Sequence, residues 1–455
     1  MSPVDTTQWP SPTGVAAVLD DALRAAGGQG GLPPLTYLRR KPGRGMVAVY
    51  GTASRAASMY TVSVDESAMT GSPQQAPAGA PGTWTGEALD LFEVPALGLT
   101  IERFPHDARL GHLAEAMAPA EGGPVWRALE STSAQTLRAV DATPVRYKPG
   151  DRCVIRYVLH TEGATGEPQR HTVVGKLFGD LDQARTAAEL MQQLWDVQGD
   201  QPWVPQPLAV AEPLPLVLAE DLGGRHSEPP TLPGTDVIRF GQQQPTDALR
   251  RAAHALADLH TSGDALPAAA ARTGTDEAGK ASKRAKTLGG YVPELAEEAA
   301  RVAQAIGDTL TGMEPERPMR SHGSYKPSQL LFRSDSVFII DFDQYCEADG
   351  ALDVGYFLAY LRPPGLWYHR AGTRAWFEEA AATFLAAYDE RLAERGVDAA
   401  TRAGIQRRCH AYEAALLLKV AARRANRLHS PRPGEVKALL DEMEGCLAEA
   451  TRDLG

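Results

Sequence analysis

The chain has 455 residues, 43% hydrophobic and 23% charged, with a formal net charge of −11. That length exceeds what one hydrophobic core usually supports, so roughly two or three domains are expected in a globular protein of ordinary composition. The negative balance argues against a general nucleic-acid binder, which needs clustered positive charge, and suits either a cationic substrate or plain solubility.

No apolar stretch approaches the length that spans a bilayer; Ala414 to Leu418 is among the longest. Residues Met1 to Ala25 lack a basic segment followed by an apolar one, so no secretory signal is expected. Four scattered cysteines, Cys153, Cys346, Cys409 and Cys446, form no CxxC pair. Their spacing suits a reducing compartment rather than a disulfide framework or a zinc site. The expectation is a cytoplasmic protein that engages neither nucleic acid nor membrane.

Along the chain, Val15 to Ala26 reads as a helix, followed by the flexible break Gly27-Gly28-Gln29-Gly30-Gly31. Met46-Val47-Ala48-Val49-Tyr50 reads as a buried strand, and residues 69–84, rich in Gly, Pro, Ser, Gln and Ala, as an exposed loop. Val154 to Leu159, a polar turn from Glu162 to Glu167, and His171 to Phe178 form a predicted β-hairpin. A helix follows from Leu181 to Trp195, with Ala187, Leu190, Met191 and Leu194 on one face, then a short strand from Leu214 to Leu218. After a Pro- and Gln-rich linker (Ser227 to Pro245) the chain reads as helical to its end, apart from a strand-turn-strand block between His322 and Asp343.

A weak internal repeat accompanies this order. Arg39-Arg40-Lys41-Pro42-Gly43, followed by Val47 and Tyr50, matches Arg146-Tyr147-Lys148-Pro149-Gly150, followed by Val154 and Tyr157, at an offset of 107 (146 less 39). A second strand follows each copy, Met59 to Val64 and Thr172 to Phe178, and only the second carries a lysine, Lys176. Either the match is coincidence, or the first part of the chain is a partial small lobe without the lysine, serving as a cap or docking surface.

The residues richest in chemistry lie between 321 and 357. Ser321-His322-Gly323-Ser324-Tyr325-Lys326-Pro327-Ser328-Gln329 is followed by the apolar run Val337-Phe338-Ile339-Ile340 into Asp341-Phe342-Asp343, and then by Asp353-Val354-Gly355-Tyr356. This order and spacing resembles the aminoglycoside phosphotransferase-like family of the kinase-like superfamily. The family's loop reads His-Gly-Asp with a later Asn or Gln, then an apolar strand into Ile-Asp-Phe or Ile-Asp-Trp. Lys326 and Pro327 also stand in register with the protein-kinase loop.

The resemblance implies an α+β, bilobal protein-kinase-like fold with a small β-rich N-lobe, a large helical C-lobe and an additional N-terminal cap domain. The expected division is 1–130 for the cap, 131–222 for the N-lobe and 223–455 for the C-lobe. It further implies ATP or GTP and Mg²⁺. Asp341 and Gln329 are the expected oxygen ligands of the metal, a donor type that magnesium favours. Lys326 is placed to meet the transferred phosphate, and His322 and Asp353 to brace the loop. Lys176 falls where the family's α/β-phosphate lysine lies, and Glu189 is its expected helix partner. Gly150 marks the phosphate-covering turn, and Ala219 to Leu222, including Glu220 and Leu222, the hinge that offers backbone groups to the purine. Phe104-Pro105-His106-Asp107 with Leu110 resembles a segment ahead of the small lobe in some larger members, or else is a turn with a capping Asp.

Ser324 departs from the pattern, because the family places its catalytic aspartate there. A serine hydroxyl is a poor base, and the lost contribution is commonly about 10²–10⁴ in rate. Three explanations stand open: a nucleotide-binding pseudokinase, recruitment of another carboxylate such as Asp343, or an introduced substitution. The expected function is phosphoryl transfer from ATP or GTP to a hydroxyl of a small molecule (an aminoglycoside, sugar or related metabolite) or of a peptide Ser or Thr. The non-catalytic alternative is a pseudokinase acting as a scaffold, with a protein partner met through the cap. Glu347, Asp349, Glu378, Glu379, Asp389 and Glu390 are candidate binders of substrate amines. Lys419, Arg423, Arg424 and Arg427 line a basic helix face, either a docking patch or a solvated surface.

Overall fold

The computed structural model describes residues 12–25, 32–41, 45–69, 83–85, 90–163, 165–198, 202–223, 230–241, 244–313, 317–362, 371–425 and 433–452. The Gly-rich break at 27–31, most of the predicted loop at 69–84, Pro42-Gly43 of the repeat, residues 227–229 and 242–243 of the Pro- and Gln-rich linker, and Arg427 lie outside them. The described chain forms two compact units. The first holds the residues up to Ala188 together with Pro207–Asp221; the second holds Glu189–Gln206, Leu222–Ala425 and the described C-terminal stretch.

The first unit opens with α1 (Pro12–Ala25), which covers a six-stranded antiparallel sheet. Its strands are β1 (Leu35–Lys41), β2 (Gly45–Tyr50), β3 (Tyr60–Val64), β4 (Thr83–Thr85), β5 (Leu91–Val94) and β6 (Leu99–Arg103), in the order β1-β2-β3-β6-β5-β4. Short helices α2 (Glu66–Met69), α3 (Leu113–Met117) and α4 (Pro124–Glu130) lead to a second antiparallel sheet. It contains β7 (Thr136–Lys148), β8 (Arg152–Glu162), β9 (Pro168–Leu177), β10 (Pro207–Val210) and β11 (Leu216–Glu220), ordered β10-β11-β9-β8-β7, with α5 (Leu181–Asp196) after β9.

Strand β8 shows why the hairpin was legible. Cys153, Ile155, Tyr157 and Leu159 are buried while their neighbours are half-buried, the period of two that a pleated strand imposes. β2 lacks that alternation because both its faces are covered. Met46, Ala48 and Tyr50 pack with Val15 and Leu19 of α1, while Val49 joins a cluster with Phe104, Leu137, Cys153 and Ile155.

The repeat is present in the strand register. Val47 pairs with Arg39 and Ser63, and Val154 pairs with Arg146 and Lys176. The same offset of 107 relates Arg39 to Arg146 and Val47 to Val154, so β1-β2-β3 and β7-β8-β9 are equivalent meanders. Ser63 therefore stands in the first where Lys176 stands in the second.

The second unit is mainly helical: α6 (Gly234–Val237), α7 (Thr246–Thr261), α8 (Gly274–Tyr291), α9 (Ala296–Gly312), α10 (Ala351–Leu361), α11 (Thr373–Glu394), α12 (Ala399–Ala425) and α13 (Pro433–Thr451). A capping box of Thr273 and Asp276 opens α8. Helix α12 is buried from Ala411 through Leu418, as expected of a helix surrounded by others. Two three-stranded sheets interrupt the helices: β12 (Thr231–Pro233), β15 (Leu330–Arg333) and β16 (Ser336–Ile339) in one, β13 (Ala271–Arg272), β14 (Met319–Ser321) and β17 (Cys346–Ala348) in the other. The predicted strand-turn-strand is β15–β16. The remaining strands, two or three residues long, are too short to carry a period-two signal. The four cysteines are buried free thiols. Among the described residues no helix is long and apolar enough to cross a membrane.

Candidate functional site

The loop from His322 to Gln329 leaves β14 and ends in one 3-10 turn, Pro327–Gln329, before β15. Asp353, fully buried near the start of α10, supports it: Oδ2 accepts the Gly323 N–H at 3.2 Å and Oδ1 the Tyr325 N–H at 3.1 Å. Burial opposes ionisation of this carboxyl. The hydrogen bond from His260, the nearby imidazoles of His260 and His322 and the Tyr325 amide prevail, holding it below the ordinary carboxylate range. His260 is itself set by Tyr388, whose hydroxyl lies 2.7 Å from its Nδ1.

Gly323 has φ +72°, and a Cβ there would stand 2.0 Å from the Gln344 carbonyl oxygen, so only glycine fits. Its own carbonyl accepts from Arg272 Nη1 at 2.7 Å, while Arg272 Nε donates to the buried Glu277 at 2.8 Å. The Tyr325 hydroxyl anchors the loop to α7 by donating to the Ala252 carbonyl at 2.7 Å.

His322 is fully buried, and burial pushes its pKa down against the influence of Asp353 and the Ile340 carbonyl, so its ring is neutral. Nε2–H donates to Ile340 O at 3.1 Å, which leaves Nδ1 as the acceptor for the Ser324 hydroxyl at 3.4 Å. Ser324 Oγ also accepts from Gln329 Nε2 at 3.0 Å, and the same amide nitrogen lies 3.4 Å from Asp341 Oδ2. Ser324, Gln329 and Asp341 thus meet at one point. Gln329 Oε1 is buried there without a hydrogen-bond partner. Asp341 has φ +69°, a left-handed conformation that recurs at functional positions. Among the described residues no group of three or more His, Cys, Asp or Glu side chains gathers to hold a metal alone. The Asp341 carboxylate and the Gln329 side-chain amide, whose Oε1 is buried and unpartnered, could supply part of the oxygen set that magnesium takes with water and phosphate completing its shell.

In the first unit, Lys176 lies in β9 between Val154 of β8 and Val217 of β11, its ammonium 4.9 Å from the Phe178 ring centre. Glu189 is an exposed residue of α5 that belongs to the second unit, and its pairing with Lys176 stays an expectation. Glu220 closes β11 opposite Val173. Leu222 is buried, and its carbonyl accepts from Thr231 Oγ1 at 2.7 Å, which occupies one of its two acceptor sites.

Gly150, at φ +62° in the β7–β8 turn, donates its N–H to Asp107 Oδ2 at 2.7 Å. The same buried carboxylate accepts from the Tyr147 hydroxyl at 2.7 Å and from the Arg109 and Leu110 amides. Phe104 meets Tyr147 edge to face at 5.2 Å. The Phe104-to-Leu110 segment therefore caps its own turn and also clamps the distant β7–β8 turn.

Sequence reasoning missed Arg272 and His260 as loop supports. Arg272 lies 51 residues from the carbonyl it holds, and no local pattern links the two. The carboxylates singled out as amine binders are largely taken. Glu347 pairs with Arg320 at 2.6 Å, buried Asp349 with Arg408 at 2.6 Å, Asp389 with Arg402, and Glu379 accepts from Gln244 at 2.9 Å.

A β-rich part, a helical part and a braced His-Gly-Ser loop ahead of a strand ending in Asp341 define the α+β class of the kinase-like phosphotransferases. Residues 165–403 match APH, the phosphotransferase enzyme family, and the chain belongs to that family. No curated protein matches it significantly. Similar solved structures include a glucosamine kinase in complex with glucosamine, ADP and inorganic phosphate (17% identity, 71% of this chain and 98% of that one, TM-score 0.44). A second crystal form of glucosamine kinase covers 98% of this chain and 97% of that one (17% identity, TM-score 0.41). A choline/ethanolamine kinase family protein from Mesorhizobium loti matches at 15% identity over 72% of this chain and 98% of that one, with TM-score 0.43. The family assignment rests on the family match alone.

Proposed function

We propose that this chain is a Mg²⁺- and ATP- or GTP-dependent phosphotransferase acting on a hydroxyl of a small molecule, slowed by Ser324. The observation that carries the reading is the meeting of Ser324 and Asp341 at the Gln329 side-chain amide, whose nitrogen faces both and whose Oε1 is buried and unpartnered. Bound there, the metal would neutralise phosphate charge. Lys176 is assigned to the nucleotide phosphates, with Glu189 as its partner, and Lys326 to the transferred group.

In the reaction the bond from the terminal phosphorus to the leaving diphosphate breaks as its bond to the acceptor oxygen forms, and the acceptor proton is released. Phosphoryl transfer passes through a loose transition state, so positioning and charge stabilisation dominate over base strength. Ser324 Oγ can still orient an acceptor hydroxyl. His322 behind it is buried and depressed in pKa, a weak proton sink. The loss of a carboxylate therefore lowers the rate without removing the chemistry.

The pseudokinase alternative draws on the same geometry, because the Ser324 hydroxyl already has partners in Gln329 and His322. Thermal-shift titration with Mg-ATP, coupled to phosphate-release and transfer assays of the chain and its Ser324→Asp variant, separates the readings. Nucleotide should raise the melting temperature by mass action. The aspartate should raise turnover by about 10²–10⁴. Nucleotide binding with no gain from the aspartate would favour the pseudokinase; absence of nucleotide binding would sink both readings.

A further inference from the structure

Next to Lys326 the second unit assembles a cluster of cations on an aromatic platform. Tyr356 and Tyr360, one turn apart on α10, stack with ring centres 6.3 Å apart and planes 7° from parallel. Lys419 of α12 donates to the Tyr356 hydroxyl at 2.7 Å, with its ammonium 4.7 Å from that ring centre. Arg423, one turn on, donates to the Tyr360 hydroxyl at 3.0 Å. The Lys326 ammonium lies 5.6 Å from the Tyr360 ring, and the Arg272 guanidinium 5.8 Å from that of Tyr356.

Counter-charge is scarce. Glu277, its side chain fully buried, serves Arg272 at 2.8 Å, Lys280 at 2.7 Å and Arg284 at 3.9 Å. Among the described residues the partners of Lys419 and Arg423 are tyrosine hydroxyls rather than carboxylates. Burial, and then the charges of Arg423, Arg284, Lys326 and Arg272, push the Lys419 ammonium down to a pKa of about 6. A half-buried lysine facing several cations is unfavourable in the empty fold, and an arrangement of that kind marks a functional site more often than a structural one.

We propose that this cluster binds an anionic group, phosphate or carboxylate, carried by the acceptor substrate, so that the acceptor is an acidic alcohol rather than an amine-bearing one. The inference rests on the phosphotransferase reading above and adds the substrate's charge. Three features support it. Lys326 lies two residues from Ser324, so the cluster adjoins the place assigned to the acceptor hydroxyl. Lysine and arginine supply point and forked donors that suit phosphate and carboxylate. Of the carboxylates singled out as amine binders, Glu347, Asp349, Glu379 and Asp389 are already engaged by this chain's own side chains.

The test uses the full chain saturated with Mg and a non-hydrolysable ATP analogue, whose own binding is measured first. Isothermal titration with inorganic phosphate, D-glycerate, glucose and glucosamine at constant ionic strength then compares ligand charges. Phosphate or glycerate should bind at least tenfold tighter than glucose or glucosamine, and the stronger of the two identifies the anionic group. The Lys419→Met/Arg423→Ala double variant should weaken the anion at least tenfold while analogue binding holds. Proton uptake on anion binding near pH 7, read by repeating the titration in two buffers of different ionisation enthalpy, should vanish in the variant. Failure of the analogue to bind would overturn the phosphotransferase reading. Analogue binding with no preference for anions, or anion binding unchanged in the variant, would overturn this inference alone.

Discussion

Lys419 illustrates how a single residue can report on a site. Its ammonium is lowered from an ordinary value near 10.5 to about 6, first by burial and then by Arg423 on its own helix, Arg284 on α8, Lys326 on the loop and Arg272 on β13. Its amine donates to the Tyr356 hydroxyl. Between those two pKa values the unfolded chain keeps a proton that the folded chain has lost, so stability from this group rises with pH across the window from about 6 to 10.5. Lys419→Met removes that contribution. Thermal melts of the variant and the parent should therefore differ most, with the variant more stable, at pH 6–7, and converge toward pH 10. A difference that stays constant over that range would contradict the assignment. Ser324 is the complementary case: its identity was plain in the sequence, but its hydrogen bonds to Gln329 and His322 were not.

At the scale of elements, the β7–β8 turn depends on a carboxylate from outside its sheet. Asp107 accepts from Tyr147, Gly150, Arg109 and Leu110, and its removal would take that acceptor from the Gly150 turn amide and from the half-buried Tyr147 hydroxyl, whose other partner, Thr61 Oγ1, is 3.3 Å away. Asp107→Ala is expected to lower stability on the order of 2–6 kcal/mol, at roughly 1–3 kcal/mol for each of the two stranded groups. It should also speed amide exchange at Gly150 by at least about tenfold, since each 1.4 kcal/mol of local opening is a factor of ten. Exchange at Gly150 matching the parent would show that the clamp contributes nothing. The order of β8, β9 and α5 was readable because alternation and helical periodicity are local signals. Strands β12, β13, β14 and β17 were not, because two or three residues exist as strands only where a partner is brought to them.

On the scale of the molecule, the first unit shares one apolar cluster between its two sheets: Val49, Met59 and Phe104 pack with Leu137, Cys153 and Ile155. A chain beginning at Arg103 would expose that face. It should lose the cooperative melt of the full chain or aggregate, as judged by circular dichroism and size-exclusion chromatography. An unchanged melting temperature would show that the second sheet does not need the first.

The sequence by itself determined the family, the loop from His322 to Gln329, the strand into Asp341 and a weak repeat whose second copy alone carries a lysine, Lys176. Each of these is written in contiguous residues or fixed offsets. Only the tertiary structure decided that Arg272 and His260 support the loop, that Asp107 clamps Gly150, and that Lys326, Lys419 and Arg423 share a tyrosine platform. Those contacts join residues dozens to nearly a hundred positions apart. Charge and hydrogen bonding act through distance in space, which a one-dimensional pattern does not contain.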